Sequence, residues 1–377
     1  MTRKDILTPR MRGMICGLSA AFLFGISPPL AKLLLPGVAP LVMAALLYLG
    51  AGLGLLTFEL LRPRTTVRSR QGSPLQKSHR WLLVGIVLTG GILGPVLMLW
   101  GLNRLSAVPG SLLLNFEAPL TMIIAILLFG EHLTRLETAA AALIILGGVV
   151  LNYHGSEHYP DAMGTLAIIG ATACWALDNN WTQRLSIRDP IVVARIKTLA
   201  AGLCMLTVAV LAGYSLPVGM PLAAILALGL VSYGVSVVLD VYGLRLLGAA
   251  REAAFFATAP FVGAALAVPV VGEHWTAQEW SAAVIMGGGI ALLVSAHHSH
   301  LHNHDRVEHD HLHVHDDEHH SHHDDGGGEK PHSHLHHHLP LVHDHPHVSE
   351  VHHRHEHNGP VETASQDEPK TRVVRQT

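Results

Sequence analysis

Apolar stretches of roughly 20 residues follow one another from residue 12 to residue 296, divided by mostly short polar breaks, and then stop. Such a stretch is long enough for an α-helix to cross a bilayer. Ten are predicted as helices, near 12–34, 39–61, 81–103, 107–129, 136–154, 163–184, 190–212, 221–244, 250–271 and 278–296. The expected fold class is an all-α polytopic membrane protein with ten transmembrane helices. In the first of them, Ser27-Pro28-Pro29 removes backbone donors and predicts a kink or break. Arg3, Lys4, Arg10 and Arg12 ahead of that helix resemble a signal peptide, but the apolar run continues past Phe24. An uncleaved first membrane helix is the better reading.

Basic residues set the orientation. With the N-terminus inside, Arg3, Lys4, Arg10, Arg12, Arg62, Arg64, Arg68, Arg70, Lys77, Arg80, Arg135, Arg184, Arg188, Arg245 and Arg251 fall on the cytoplasmic side, against Lys32 and Arg104 near the outer face. Ten spans return the C-terminus to the cytoplasm. The location expected is the cell (inner) membrane, with several passes and both termini inside.

The chain also repeats itself. Gly130-Glu131-His132-Leu133-Thr134 recurs 142 residues later as Gly272-Glu273-His274-Trp275-Thr276, and Gly101-Leu102-x-x-Leu105-x-Ala107 recurs as Gly243-Leu244-x-x-Leu247-x-Ala249. Ala118-Pro119 matches Ala259-Pro260 after one residue of slippage, and Gly13 and Ala20 match Gly164 and Ala171. Five helices per repeat is odd, so the two copies are expected to lie upside down to each other. The domains expected are a first repeat at 12–154, a second at 163–296 and a tail at 297–377. Inverted repeats point to alternating-access transporters with a site near the midplane; channels and membrane enzymes carry repeats less often. No catalytic triad, phosphate loop or nucleotide fold appears, so an enzyme is not expected.

Both copies carry one spaced pattern: Ala107, Pro119, Gly130, Glu131, Thr134 and Gly147, then Ala249, Pro260, Gly272, Glu273, Thr276 and Gly289. On these residues the stretch 12–296 resembles the drug/metabolite transporter superfamily, specifically its ten-helix EamA-type members. Ala140 and Ala282 stand where that family usually has glycine, and alanine is small enough to keep helices close. The resemblance implies two EamA repeats and a small-molecule transporter, often an exporter of amino acids, metabolites or drugs. It does not encode a substrate.

Ionisable groups at membrane depth are costly and mark pathways. Glu117, beside Asn115, lies near the centre of the fourth predicted helix, as a proton or cation site or a partner for a cationic substrate; a structural carboxylate is the alternative. Asp178-Asn179-Asn180 interrupts the sixth. At 100° per residue three neighbours cannot face one way, which favours a polar pathway. Arg195 and Asp240 are further candidates, close enough in depth to pair with Asp178, while they and Lys197 also suit snorkelling to the interface. Glu131 and Glu273, with His132 and His274, are read as tying turns to helix ends, and Trp100, Trp175 and Trp181 as packing residues.

Charge separates the tail from the rest. Up to Ala296 there are 13 acids and 19 bases; from His297 to His357 there are 12 acids, 3 bases and 25 of the chain's 30 histidines. The tail is expected to be disordered, given its low apolar content and Gly326-Gly327-Gly328. His300, His302 and His304, then His309, His311, His313 and His315, then His343, His345 and His347 alternate with other residues and with Asp305, Asp310, Asp316, Asp317 and Asp344. Imidazole and carboxylate suit zinc, nickel, cobalt and copper. No cofactor is required, but transition-metal ions on the tail are expected, with a pH-responsive tail as the competing idea. Cys16, Cys174 and Cys204 sit in apolar segments without a CxxC pair and read as small buried hydrophobes.

The leading expectation is a secondary transporter exporting a small organic metabolite, with a metal-binding tail. The alternative is a divalent nickel, cobalt or zinc transporter fed by the tail, although His79, His132, His154, His158 and His274 all fall in loops or at helix ends. A metal-responsive sensor that transports nothing makes poor use of ten helices. The partners expected are the lipid bilayer, a small-molecule substrate and metal ions at the tail, with no nucleic acid; a homodimer is left open.

Overall fold

The apolar stretches are helices in the computed structural model, which describes residues 8–61, 80–129, 133–153, 161–183, 190–247 and 249–295, with four tail segments, 298–304, 307–313, 332–338 and 341–347. The helices are α1 (Pro9–Gly25), α2 (Ser27–Leu34), α3 (Pro40–Leu61), α4 (Arg80–Ile86), α5 (Gly94–Arg104), α6 (Ala107–Leu113), α7 (Glu117–Phe129), α8 (Arg135–Leu151), α9 (Ala162–Gln183), α10 (Pro190–Leu211), α11 (Met220–Gly229), α12 (Ser236–Leu247), α13 (Ala249–Phe256), α14 (Ala259–Val271) and α15 (Ala277–Ser295). A π-helical turn, Val87–Leu93, joins α4 to α5, and a second, Leu230–Val235, joins α11 to α12. A 3₁₀ turn, Leu114–Phe116, joins α6 to α7.

Among the described residues, eight continuous helical stretches are long and apolar enough to cross a membrane. α8 is 17 residues long, and α9, 22 residues long, carries Asp178-Asn179-Asn180 near its end. The elements recur along the chain: α6 and α13 begin 142 residues apart, as do α7 and α14, and α8 and α15. α3 and α10 are both 22 residues long. Recurring elements pack on one another, α8 along α15 and α3 along α10, and α6 packs on α14. α3 also lies tightly on α11, where a side chain at Gly50 would meet the Leu226 carbonyl and one at Gly229 the Leu47 carbonyl. Van der Waals contact of this kind replaces the hydrophobic drive that lipid cannot supply.

Five of the crossing stretches are broken at mid-length or joined through non-α turns. α1 stops at Ile26 and α2 restarts with Pro28 and Pro29 in its first turn, where their missing N–H groups cost nothing. The stretches Arg80–Arg104 and Met220–Gly243 carry the π turns, and Ala107–Leu127 and Glu252–Val271 break at Leu114–Phe116 and Ala257–Thr258. These two pairs of breaks recur between the halves, whereas the break at Ile26 has no counterpart in the continuous α9.

Helix termini are closed by side chains, two of them reaching across from the second half of the chain to the first. The amides of Ala107 and Val108, which open α6, donate to Glu273 Oε1 and Oε2 at 2.6 and 2.8 Å. The Lys32 ammonium donates to the carbonyls of Leu102 and Leu105, at the end of α5, both at 2.7 Å. Gln278 Nε2 donates to the carbonyls of Val150, Leu151 and Tyr153 at the end of α8. Thr134 with Glu137, and Thr276 with Glu279, form matching boxes at the starts of α8 and α15. Asp161 opens α9 by accepting from the Gly164 amide at 3.0 Å and meets Arg104 at 2.8 Å; together they hold its carboxyl below the usual carboxylate range. Glu131 and His132, the first-half partners of Glu273 and His274, lie outside the described residues.

The tail segments form a separate unit. β1 (His298–His304) pairs antiparallel with β4 (Leu341–His347), and β2 (Val307–His313) with β3 (His332–His338). Their alternating pattern has the period of an extended strand, and antiparallel pairing satisfies backbone groups without an apolar core.

Replacing Glu273 with Ala leaves two buried-end amides without their acceptor. The full-length protein in detergent is expected to lose about 1–3 kcal/mol of unfolding stability. Glu279→Ala, at an exposed box, should cost only about 1 kcal/mol. Thermal unfolding followed by circular dichroism ranks the two, and equal losses would contradict the role given to Glu273.

Candidate functional site

The broken helices gather polar side chains that an unbroken apolar bundle has no use for. A π turn widens the helix and frees carbonyls from their usual partners. In the first π turn the Gly90 carbonyl accepts from Tyr48 Oη at 2.8 Å and from Trp175 Nε1 at 3.2 Å. In the second, Tyr233 Oη lies 2.6 Å from Ser27 Oγ, at the break of the first stretch. The Tyr48 and Tyr233 rings are 5.9 Å apart, so the two π turns and the first break meet through two tyrosines.

Beside Gly90 stands Asp178. Its carboxylate occupies the space that a side chain at Gly90 would fill. Asp178 Oδ2 accepts from Lys197 Nζ at 2.7 Å, and Oδ1 from Thr182 Oγ1 at 3.2 Å. The Asp178 side chain is 4% exposed and that of Lys197 22%. A carboxylate this deep needs a cation, and Lys197 supplies it.

Glu117 opens α7 directly after the 3₁₀ turn, where the positive end of the helix favours an acid. Its Oε1 accepts from Asn179 Nδ2 at 2.6 Å. Glu117 is half-buried and Asn179 exposed, while Asp178 is buried and Lys197 half-buried. Asp178 and Lys197 are near enough for both charges to act on Glu117.

Several predicted residues take other roles. Asn180 turns back to the Ala176 carbonyl at 2.8 Å and reaches the Thr121 carbonyl at 3.2 Å, tying α9 to α7. Asn115 donates to the Leu112 carbonyl at 2.9 Å and braces the 3₁₀ turn. Arg195 pairs with Glu59 of α3, which corrects its expected pairing with Asp178. Two residues apart on a helix, Arg195 and Lys197 point about 200° away from each other and cannot share a partner. Asp240 neighbours Glu252, not Asp178. The tail histidines 300, 302 and 304 lie on β1, 309, 311 and 313 on β2, and 343, 345 and 347 on β4, with His300 opposite His345 and His302 opposite His343 in register. His315 lies outside the described residues. Among the described residues, no group of three or more His, Cys, Asp or Glu is placed to hold a metal ion.

Sequence reasoning passed over Lys197, Tyr48, Tyr233 and Glu252 as site residues. A lysine two positions past an arginine carried a signal, because one of the two had to face inward. The tyrosines carried none, since only the π turns give their hydroxyls an acceptor.

Known proteins agree with this architecture. The model of the EamA-like transporter family matches residues 11–153 and again 162–295. An "Uncharacterized transporter" of Methanothermobacter thermautotrophicus is 28% identical over 297 residues, 75% of this chain and 86% of that protein. The "Uncharacterized inner membrane transporter YedA" of Escherichia coli K12 is 25% identical over 257 residues, 67% of this chain and 81% of that protein. A solved crystal structure 21% identical in sequence shares the fold at a TM-score of 0.55, over 74% of this chain and 95% of that one. With both halves matched separately by the same family model, the chain belongs to the EamA-like transporter family and is a membrane transporter.

Proposed function

We propose that this chain is a secondary transporter of the inner membrane that exports a small organic metabolite, amino-acid-like or drug-like, by alternating access. The observation that carries the reading is the Glu117–Asn179 hydrogen bond beside the Asp178–Lys197 ion pair, set in a bundle where two stretches of each half are broken at corresponding places. Broken helices in matching positions are the device by which transporters build a midplane site. In this reading α8 and α9 complete ten crossings, the two five-helix repeats are inverted, and both termini are cytoplasmic. The family match and the inner-membrane name of YedA support the location.

Glu117 offers a carboxylate to a cationic group, and Asn179 offers a donor and an acceptor to a neighbouring polar one. An amine-bearing organic molecule fits that pair better than a bare divalent ion, for which the described bundle provides no cluster of ligands. Asp178 and Lys197 neutralise each other and form the wall of the pathway. The tail, with ten alternating histidines, binds transition-metal ions on its own account, as a buffer or regulator of the transporter. A divalent-metal cargo remains the alternative, and it rests on the tail alone.

Glu117→Gln and Asp178→Asn chains are expected to reach the membrane at wild-type levels and to lose transport in reconstituted liposomes; wild-type rates by both would remove these residues from the pathway. Lys197→Met leaves Asp178 unpaired and should cost about 3 kcal/mol of stability, the low end for a broken buried pair because Lys197 keeps some exposure. Most of that loss should return in the Asp178→Asn/Lys197→Met double variant, measured by thermal unfolding. A deletion strain complemented with the full chain, or with residues 1–296, should regain resistance to particular amino acids or drugs in both cases. Resistance to metal salts only, lost with the tail, would establish the alternative.

A further inference from the structure

Glu252, in α13, is 3% exposed, and neither of its carboxylate oxygens has a hydrogen-bond partner of normal geometry. Its carboxylate lies between two helix backbones. A side chain at Gly17 of α1, or at Gly243 of α12, would run into it. Two glycines thus let α1 and α12 close over an acid. Asp240 of α12, half-buried, is its acidic neighbour. From α1 the nearest titratable group is Cys16, and Arg12, one turn earlier, is exposed and engaged in contacts of its own. The side chains of Arg245 and Arg251 lie outside the described residues. Among the described residues, no cation is hydrogen-bonded to Glu252.

A second observation comes from the same helix. Ser232, Ser236 and Asp240 recur every fourth residue through the second π turn into α12, and so share one side of it. Both serines are fully buried, and their hydroxyls have no partner. Buried polar atoms that lack protein partners are normally met by internal water or a proton. Ser232 stands next to Tyr233, whose hydroxyl meets Ser27 at the central break.

An unpaired carboxylate sealed beside a second acid is too costly to keep its charge, so one of the two carries a proton. We propose that Glu252 and Asp240 form a proton-binding site, holding one proton between them under α1, with Ser236 and Ser232 as a hydrated line toward the central tyrosines. Release of the proton requires α1 to lift from α12. On the reading of the chain as a transporter, this makes the proton its coupling ion; the binding site itself does not depend on that reading.

Infrared difference spectroscopy of the full-length protein in lipid nanodiscs tests the site without any substrate. To set aside the acid of the transport pathway, the measurement is made on the Glu117→Gln chain. At neutral pH it is expected to show the carbonyl band of a protonated carboxylic acid, shifted by D₂O. Glu252→Gln in that background should abolish the band, and Glu252→Asp should shift its frequency. No band in the Glu117→Gln chain, or a band that neither change moves, would overturn the proposal. If Glu252→Gln fails to fold, the Glu252→Asp shift decides. Transport results from the Glu117 and Asp178 variants bear only on the pathway, so the two readings fail separately.

Discussion

The structure depends on how helix ends are satisfied where water is scarce. Between α5 and α6 the chain ends one helix and begins another within three residues, leaving carbonyls with partial negative charge next to amides with partial positive charge. Lys32 covers the carbonyls and Glu273 the amides. Each thus meets the end of a helix dipole that its own charge complements, and Lys32 lies close enough to Glu273 for the two to interact. Glu273 comes from the second half of the chain, so its carboxylate fixes where the second half sits against the first. A glycine-glutamate turn followed by a capping threonine is therefore more than a family signature. The glycine, at φ 79°, turns the chain, the glutamate reaches across, and the threonine starts the next helix.

With the ends held, the middles can afford to be irregular. Each mid-length break releases backbone groups, and in hydrocarbon these must find protein partners. Tyr48 and Trp175 serve Gly90, and Asn115 serves Leu112. Polar side chains imported to repair the backbone then create surroundings in which charged side chains can exist. Asp178 settles against the π turn at Gly90 only because a glycine there leaves room. The polar centre is in this sense a consequence of the broken helices, and the breaks recur because the halves recur.

Much of this was legible in the sequence. Apolar stretches of bilayer length gave the helices, and the repeated Gly-Glu-x-x-Thr gave the two halves, since both signals are local and periodic. Ser27-Pro28-Pro29 gave the first break, because proline acts through its own covalent structure. Glu117 and Asp178-Asn179-Asn180 stood out because ionisable groups are rare in such stretches. The choice between Arg195 and Lys197 was not legible, as it turns on which face of α10 meets α3 and which meets α9. Glu252 was hidden beside Arg251 at what read as an ordinary helix start; only packing shows that α1 lies across it.

Two kinds of acid therefore stand in one bundle. Glu117 has a neutral hydrogen-bond partner and is only half-buried. Glu252 has neither partner nor opening, and its state can change only when the helices that enclose it part. α1 covers Glu252 and leads into the central break. Its lower half covers Glu252 through Gly17, and its end abuts the central break, where Ser27 meets Tyr233. A movement of α1 hinged at Ile26 would expose Glu252 and disturb the Ser27–Tyr233 contact together, and the break before Pro28 and Pro29 is where such a hinge lies.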